Sequence, residues 1–234
     1  MVLVNPTTSE RRYEIKMPID NSSLAEVCMW LRLHPENFSR HYPQRRVNSI
    51  YFDSPDLLNV DENLAGISER RKLRLRWYGN TGYVKQGNWE IKCKERNLGW
   101  KVTRPMGQCI PLSEMNWQEV LAVLRANTSD YVGMHLACSG WPALINSYER
   151  LYYLSWDTSI RATVDFHQVY FDQRLSGTPN LTRCLPYPDQ DNIVLELKAP
   201  ATSHDRLAEI VQHFPVRVTR NSKYVNGMLH ATAS

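Results

Sequence analysis

The chain has 234 residues, of which 42% are hydrophobic, enough apolar material for one sizeable domain or two small ones. Its formal net charge of +4 is only mildly basic, so its basic residues matter through clustering rather than through number. Its cysteines are odd in number and widely spaced, which argues against a disulfide framework or a zinc site: Cys28, Cys93, Cys109, Cys138 and Cys184.

No linker and no repeat of solenoid period divides the chain, so we predict a single domain over residues 1–234, with 1–9 as a loose leader. No signal-peptide pattern is visible, and no apolar run approaches the roughly 18 residues that a membrane-spanning helix needs. These features predict a soluble cytoplasmic protein without direct membrane insertion.

The first half of the chain reads as strands with short helices between them. We predict strands over residues 11–19, 47–53, 70–78, 89–96 and 100–106. Asp20, Asn21 and Ser22 offer an N-cap for a helix over residues 24–33, and a turn at 54–56 opens a short helix that ends at Gly66. Residues 34–44 hold two prolines and are predicted to be a loop, and residues 97–99 form a hairpin turn.

The second half begins with a helix over residues 117–126, for which Ser113 and Asn116 are alternative caps. Residues 127–142 receive no assignment. Strands are predicted over 145–156 and 159–171, joined by a tight turn at Asp157-Thr158, and over 192–198 after a proline-rich loop. A helix capped by Ser203 and a last helix after Asn221 complete the chain. The pattern predicts an α+β fold, mainly antiparallel β.

The most informative strand reads RRKLRLRWY over residues 70–78. Side chains alternate across a strand with period two, so the basic residues share one face and the apolar residues the other. The basic face holds Arg70, Lys72, Arg74 and Arg76, and the apolar face holds Leu73, Leu75 and Trp77.

Four other strands also set a charged stripe against an apolar one. The charged stripes are Arg12, Glu14 and Lys16; Glu90, Lys92 and Lys94; Arg161 and Asp165; and Glu196 and Lys198. If these strands close into a barrel with helices outside, the charged stripes face inward. A lumen lined by that many cations requires a polyanionic ligand.

The chain has neither a P-loop nor a dinucleotide-binding glycine motif, so side chains must hold any phosphate. Arginine pairs two phosphate oxygens with its planar fork, and lysine acts as a point charge. Candidate phosphate-binding residues are Arg74, Arg76, Lys92, Lys94, Arg150, Arg161, Lys198 and Lys223. Carboxylates among them suit magnesium or manganese shared with substrate phosphates: Glu14, Glu90, Asp165 and Glu196.

Several alternatives stay open. Each stripe alone is compatible with a solvated strand face, and stripes inside a barrel are compatible with mutual salt bridges. The histidines show no metal-ligand spacing, and no sequence resembles a nucleophile elbow. Aromatic residues near the basic stripe suit stacking on nucleic-acid bases, but they lie on the apolar faces, where core packing is favoured: Trp77, Tyr78, Trp89 and Trp100.

Six motifs occur together in an order that resembles a known family. They are Arg12-Tyr-Glu14-Ile-Lys16, Ser49-Ile-Tyr-Phe-Asp53, Lys72-Leu-Arg-Leu-Arg-Trp-Tyr78, Glu90-Ile-Lys-Cys-Lys94, Leu195-Glu-Leu-Lys198 and Ser222-Lys-Tyr224. From about residue 11 to residue 229 the chain resembles the VTC domain, the polyphosphate polymerase module of the triphosphate tunnel metalloenzyme (CYTH-like) superfamily.

The resemblance implies a closed tunnel barrel of about eight antiparallel strands with helices packed on the outside. It implies transfer of the γ-phosphate of ATP onto polyphosphate with Mn²⁺ or Mg²⁺. Arg74 and Arg76 match the paired residues that bind nucleotide phosphates, and Glu196 matches the metal-binding carboxylate, with Glu14 as an assisting ligand. Further lumen cations match at Lys16, Lys92, Lys94, Arg150, Arg161, Lys198 and Lys223. Arg12 stands where the superfamily's ExExK signature has its first Glu, which disfavours a two-metal hydrolase mechanism.

We therefore expect a metal-dependent phosphotransferase that acts on ATP and polyphosphate or tripolyphosphate. Arg74, Arg76 and Lys92 would clamp the triphosphate, and Lys198 would act with them in catalysis and, with Arg161 and Lys223, guide the product. One alternative is a tripolyphosphatase or nucleoside triphosphatase on the same fold, and another is a non-catalytic polyphosphate-binding sensor or subunit. A membrane-protein partner is compatible with the family, whereas a nucleic-acid partner is not expected.

Overall fold

The computed structural model of the chain describes residues 11–19, 23–128, 131–185 and 193–233. The strands are β1 (Arg12–Ile19), β2 (Ser39–Asp53), β3 (Glu69–Tyr78), β4 (Tyr83–Val84), β5 (Gly87–Glu95), β6 (Leu98–Met106), β7 (Ile110–Pro111), β8 (Trp141–Leu154), β9 (Arg161–Asp172) and β10 (Ile193–Pro200). The helices are α1 (Leu24–Leu33), α2 (Leu58–Leu64), α3 (Trp117–Ala126), α4 (Tyr131–Cys138), α5 (His204–Gln212) and α6 (Lys223–Ala233).

Eight of the strands form a closed antiparallel barrel in the order β1-β10-β9-β8-β2-β3-β5-β6. The seam between β1 and β6 is short and pairs Arg12 with Gly99 and Tyr13 with Leu98. β4 and β7 form a separate two-stranded sheet. The predicted fold class, α+β with a closed barrel and helices on its outside, is confirmed.

The apolar faces of the strands point outward and pack under helices. On one side α3 and α4 cover β3 and β5, and there Trp77 and Trp89 are completely or almost completely buried. On the other side α1 and α5 cover β1, β9 and β10 around Met17, Val164 and Leu195. Burying each such side chain contributes about 1.5–3 kcal/mol. The inside of the barrel is therefore left to the charged faces.

The last helix packs against β8 and β9 through a smaller core that includes Tyr170, Tyr224 and Met228. Gly227 makes this close approach possible, because a Cβ at that position would lie 2.5 Å from Leu144 Cδ2 and 2.6 Å from Tyr170 Cδ1. The hydroxyl of Tyr224 donates a 2.5 Å hydrogen bond to Asp53 Oδ2 at the end of β2. These contacts fix the start of α6 against one end of the barrel.

The helix caps partly match the sequence. Asn116 caps α3 with a reciprocal bond to Glu119, as predicted. Ser23, not the three residues before it, caps α1. Residues 20–22 lie outside the described residues. Ser203 stands at the cap position of α5 but makes no side-chain cap hydrogen bond.

Two predictions along the chain were wrong or incomplete. Residues 39–44, predicted as a loop, belong to β2 and pair with the end of β8, with register shifts between Arg40 and Arg45. Bulges there leave room for Pro43, which has no N–H to donate. The unassigned segment contains α4 and the first residues of β8, which starts at Trp141.

The hairpin between β5 and β6 turns one residue earlier than predicted. Arg96 has a φ of 52°, and Leu98 and Gly99 already pair with β5 and β1. The leader at 1–9 and residues 186–191 of the proline-rich loop lie outside the described residues. In the described part of the chain no helix has the length and apolar character needed to cross a membrane. All five cysteines are free thiols.

Candidate functional site

The charged stripes of the sequence face the inside of the barrel. Directly paired residues on neighbouring strands point to the same face, so the pairings Glu14–Lys198, Lys16–Glu196, Lys72–Lys92 and Arg74–Glu90 place these groups together in the lumen. Inward cations far outnumber inward carboxylates. The cations are Arg12, Lys16, Arg70, Lys72, Arg74, Arg76, Lys92, Lys94, Lys101, Arg150, Arg161, Lys198 and Lys223, and the carboxylates are Glu14, Glu90, Asp165 and Glu196.

One carboxylate, Glu90 on β5, orients the arginines of β3. Arg74 donates from Nε and Nη2 to Glu90 Oε2 at 2.8 and 2.5 Å, and Lys101 Nζ lies 2.7 Å from Oε1. Arg76 Nη1 is 3.6 Å from Oε2. Burial raises the pKa of Glu90, but these cations outweigh burial and hold it far below its usual value. Both Glu90 oxygens are occupied, so its role is to position arginines.

The two predicted metal ligands lie diagonally opposite each other on β1 and β10. Glu14 Oε2 is 2.5 Å from Lys92 Nζ, and Glu196 Oε2 is 2.9 Å from Lys198 Nζ. Burial raises the pKa of Glu14, but Lys92, Lys198 and Lys16 together outweigh burial and lower the pKa to about 2. The pKa of Glu196 is also lowered well below its usual value, by Lys198 and Lys16 against the effect of burial. Both groups are therefore ionised at neutral pH.

Glu14 and Glu196 are close enough for each charge to act on the other, and Glu196 raises the pKa of Glu14. Diagonal neighbours on facing strands are about 7–8 Å apart, within reach of two glutamates that share one ion. Among the described residues no group of three or more His, Cys, Asp or Glu side chains is placed to hold a metal. Two carboxylates completed by substrate phosphates and water fit Mg²⁺ or Mn²⁺, which rarely takes a cage made of protein alone.

The fourth inward carboxylate, Asp165 on β9, is fully buried and holds two cations. Arg150 donates from Nε and Nη2 to its two oxygens at 2.5 and 2.7 Å, and Lys223 Nζ lies 2.7 Å from Oδ2. Burial raises the pKa of Asp165, but Arg150 and Lys223 lower it to about 2. This cluster ties the first residue of α6 to the barrel wall.

The start of α6 and the residues before it lie across one end of the tunnel, which we call the α6 end. There Lys16 Nζ donates to the carbonyl of Asn221 at 2.8 Å, and Lys72 Nζ donates to Ser222 Oγ at 3.0 Å. Burial and neighbouring lysines lower the pKa of Lys16 to about 7 and that of Lys72 well below its usual value. Burial and Arg70 also lower the pKa of Lys94. Cations crowd here with few carboxylates to balance them.

The opposite end of the tunnel, which we call the mouth, is open. A cavity of about 300 Å³ lies there, lined in part by Arg12, Lys101, Arg161 and Lys198. Arg161 pairs with Lys198 in register and is exposed. The mouth therefore offers a positively charged path to the interior.

The structure brings most of the predicted site residues into the middle of the tunnel and places three of them at its ends. Arg161 lies at the mouth, and Lys16 and Lys94 lie toward the α6 end. The middle residues are Glu14, Arg74, Arg76, Lys92, Arg150, Glu196, Lys198 and Lys223. Internal salt bridges balance only part of the inward charge. Each of these carboxylates is ion-paired, but cations remain in excess.

Sequence reasoning missed several groups in the same space. Lys101 faces the lumen opposite Lys92, but its own strand carries no clear charged stripe. Tyr148 accepts a hydrogen bond from Arg76 Nη2 at 3.3 Å, and its ring lies 5.2 Å from the Arg150 guanidinium and 4.9 Å from Lys223 Nζ. Tyr51 accepts one from Arg74 Nη1 at 3.2 Å. Tyr148 lies two residues before Arg150, so the alternation of side chains along the strand could have predicted that it faces the lumen.

Two aromatic residues considered for nucleic-acid stacking are parts of the core. Trp77 and Trp89 are at most 1% exposed, and Trp77 Nε1 donates to the carbonyl of Asn80 at 2.8 Å. The core-packing interpretation is confirmed for both. The prediction was wrong for Tyr78, which is 44% exposed and lies two residues beyond Arg76, on the inward face of β3.

The chain is similar to one known protein family. A family model, the VTC domain, matches residues 11–232. No curated protein matches the chain. Similar solved structures include a protein of Pyrococcus horikoshii OT3, with 14% identity over 94% of this chain and 98% of that one and a TM-score of 0.47. Another, from Vibrio parahaemolyticus and provisionally described as an adenylate cyclase, has 10% identity over 90% and 94% and a TM-score of 0.48. Because the family model spans almost the whole described chain, this protein belongs to the VTC domain family, with the phosphate-handling tunnel fold of that family.

Proposed function

We propose that the protein synthesises polyphosphate by moving the γ-phosphate of ATP onto the end of a phosphate chain held in the tunnel. The observation that carries the proposal is the excess of inward cations over carboxylates along the whole tunnel, from Arg161 at the mouth to Lys72 and Lys94 at the α6 end. Buried cations without partners are costly, and a linear polyanion supplies the missing charge.

The middle of the tunnel is the place for the reaction. Arg74 and Arg76 are held by Glu90, and Lys92 and Lys198 lie beside the two candidate metal ligands. Side chains that are already oriented stabilise the charge of a transferring phosphoryl group without further reorganisation. We assign Arg74, Arg76, Lys92 and Lys198 to this role, and Lys16, Arg150 and Lys223 to binding of the remaining phosphates.

Glu196, with Glu14, would hold the Mn²⁺ or Mg²⁺ ion. The ion supplies neutralisation of charge on the phosphate oxygens. Glu196 would give up its 2.9 Å contact with Lys198 in holding the ion, and that lysine would then be free to bind phosphate.

The transfer needs no general base. A terminal oxygen of the phosphate chain forms the new bond to the γ-phosphorus, the bond to the β-phosphate oxygen breaks, and ADP leaves. That terminal oxygen is already ionised, so no proton has to be removed. The inward carboxylates have lowered pKa values and are poor bases, which suits a phosphate acceptor better than water.

The direct test incubates the purified protein with ATP and Mn²⁺, separates the products on a polyacrylamide gel and measures free phosphate and ADP in parallel. The proposal predicts long phosphate chains with one ADP for each phosphate incorporated. A Glu149→Gln variant is the control, because Glu149 lies outside the tunnel and pairs with Arg46 on the surface.

Two other outcomes would replace the proposal. Free phosphate without polymer would identify a tripolyphosphatase or nucleoside triphosphatase. Binding of tripolyphosphate without any turnover, with either metal, would identify a polyphosphate-binding sensor or a subunit that needs its membrane-protein partner.

A further inference from the structure

The mouth of the tunnel carries a cluster of aromatic rings around one arginine that the proposed chemistry does not use. The Arg45 guanidinium carbon lies 5.3 Å from the centroid of the Tyr42 ring, 5.5 Å from that of Tyr78 and 5.8 Å from that of Tyr152. Tyr42 and Tyr152 meet edge to face, with centroids 5.7 Å apart and planes at 87°. We call Tyr42, Arg45, Tyr78 and Tyr152 the aromatic rim.

The aromatic rim belongs to the inward side of the barrel. Arg45 pairs in register with Arg150, and Tyr42 pairs with Tyr152, so each shares the face of its partner. Tyr78 lies two residues beyond Arg76 and therefore points the same way. These four residues thus extend the basic lining outward by one step of each strand.

The rings of the aromatic rim are accessible to solvent, and its arginine is available to a ligand. Tyr42 is 50% exposed and Tyr78 is 44% exposed, so two of the three rings are open to solvent. In the described part of the chain no carboxylate lies within ion-pair distance of Arg45, unlike the neighbouring Arg46, which pairs with Glu149. Ring faces and an arginine plane are the surfaces on which planar heterocycles stack.

The aromatic rim lies a short distance along the strands from two phosphate-binding candidates. Tyr78 and Tyr152 each lie two residues along the strand from a phosphate-binding candidate, Arg76 and Arg150 respectively. Two residues of a strand span about 7 Å. A ribose separates the base of a nucleotide from its first phosphate by a similar distance, so phosphates at Arg76 and Arg150 bring the base to the rim.

We propose that the aromatic rim is a nucleobase-binding site, at which the base of a nucleoside triphosphate stacks on Tyr42, Arg45 and Tyr78 while its phosphates enter the tunnel. This inference rests on the proposed function, because it takes a nucleotide as the phosphate donor. It also assigns the nucleotide donor to the mouth, the open end of the tunnel. Stacking accepts any base, so the site favours nucleotides over bare polyphosphate and discriminates weakly among bases.

The test compares two ligands that share phosphates and differ in the base. Calorimetry with Mg²⁺ measures the affinity of tripolyphosphate and of the β,γ-imido analogue of ATP for the wild type and for the double variant Tyr42→Ala/Tyr78→Ala. We expect the double variant to bind the nucleotide about tenfold more weakly and to bind tripolyphosphate within about twofold of the wild type.

Two matched variants accompany it. Tyr42→Phe/Tyr78→Phe keeps both rings and should bind the nucleotide like the wild type. Trp141→Ala removes a ring of similar exposure, 47%, at the far end of β8 and should change neither affinity.

The inference fails if the alanine variant binds the nucleotide like the wild type, or if it loses affinity for both ligands equally. Both results leave the proposed function standing, because tripolyphosphate binding and polymer formation report on the tunnel itself. A wild-type protein that binds neither ligand would overturn the proposed function and this inference together.

Discussion

The middle of the tunnel and its α6 end differ in how their cations are balanced. In the middle, arginines and lysines have close carboxylate partners, as Arg74 has Glu90 and Lys92 has Glu14. At the α6 end Lys72 donates to a hydroxyl, and Lys16 donates to a carbonyl with Glu196 Oε1 4.0 Å away. The pKa values of both lysines are lowered.

This difference suits the middle of the tunnel to chemistry and the α6 end to binding of a polyanion. Carboxylates in the middle orient the arginines and offer ligands to a metal ion, so the chemistry belongs there. The cation-rich end has fewer close carboxylate contacts and gains most from a polyanion.

The largest effect is expected from Glu196→Gln in the middle of the tunnel. Without this carboxylate the metal ion loses a ligand, and we expect polymer formation to fall by at least about 100-fold. Tripolyphosphate affinity should be kept or increased, because Lys198 loses its anionic partner. Turnover assays and calorimetry on the same sample measure both quantities.

The control is Glu149→Gln, which neutralises a carboxylate outside the lumen that pairs with Arg46. Its polymer formation should match the wild type. Full activity in Glu196→Gln would remove this residue from the metal site, and a parallel loss of tripolyphosphate binding would show that the substitution damages the tunnel as a whole.

Asp165→Asn should have the largest effect on stability. It removes the closest carboxylate of Lys223 and leaves Arg150 with Glu196 alone, 3.6 Å away, and breaking such a buried pair costs about 3–5 kcal/mol in free energy of unfolding. Urea unfolding with and without tripolyphosphate measures the loss and its recovery, since a ligand that binds the folded state stabilises it.

The matched variant is Asp172→Asn at the other end of β9, where Asp172 pairs with Arg174 and the two side chains are 18% and 22% exposed. Solvent screens this pair more than those of the fully buried Asp165, so the expected loss is smaller. Equal losses in the two variants, or no recovery of Asp165→Asn by tripolyphosphate, would contradict the proposed balance of charge.

Much of this site followed from the strand periodicity. Alternation alone placed Arg74, Lys92 and Glu196 in the lumen, because a barrel with apolar residues outside has no other place for them. It did not reveal the rim, because bulges between Arg40 and Arg45 break the alternation in β2. It also did not give the ion pairs around Asp165, since these depend on α6, which returns to the barrel from far along the sequence.

A pH effect is expected at the α6 end. Burial, Lys16 and Lys92 lower the pKa of Lys72, so this lysine loses its proton below the usual value of about 10.4. Tripolyphosphate affinity should therefore fall as pH rises above neutral. The stability of the free protein should change in the opposite direction. Over this range the unfolded chain binds more protons at Lys72 than the folded protein does, so the free energy of unfolding rises with pH.

Lys72→Arg supplies the comparison, because arginine keeps its charge throughout this range. Its tripolyphosphate affinity should fall less between pH 7 and 9.5 than that of the wild type, which calorimetry at matched ionic strength can measure. Identical pH profiles would show that Lys72 does not change its charge in this range or does not contact the ligand.

The smallest effect is expected at the exposed edge of the mouth. Arg161→Ala removes a solvated cation, so it should slow association of tripolyphosphate about two- to threefold and leave dissociation nearly unchanged. Lys94→Ala, in the more buried end, should mainly speed dissociation. Stopped-flow binding at two salt concentrations measures both rate constants. Slower association in Lys94→Ala and faster dissociation in Arg161→Ala would contradict these roles of the two ends.

The most direct test of a phosphate-binding tunnel is a crystal structure of the protein with tripolyphosphate and Mn²⁺. We expect a phosphate chain along the tunnel, within hydrogen-bond distance of Arg74, Arg76 and Lys198, and the metal ion on Glu196. Tripolyphosphate bound only on the outer surface, or a metal ion held away from Glu196, would contradict this expectation.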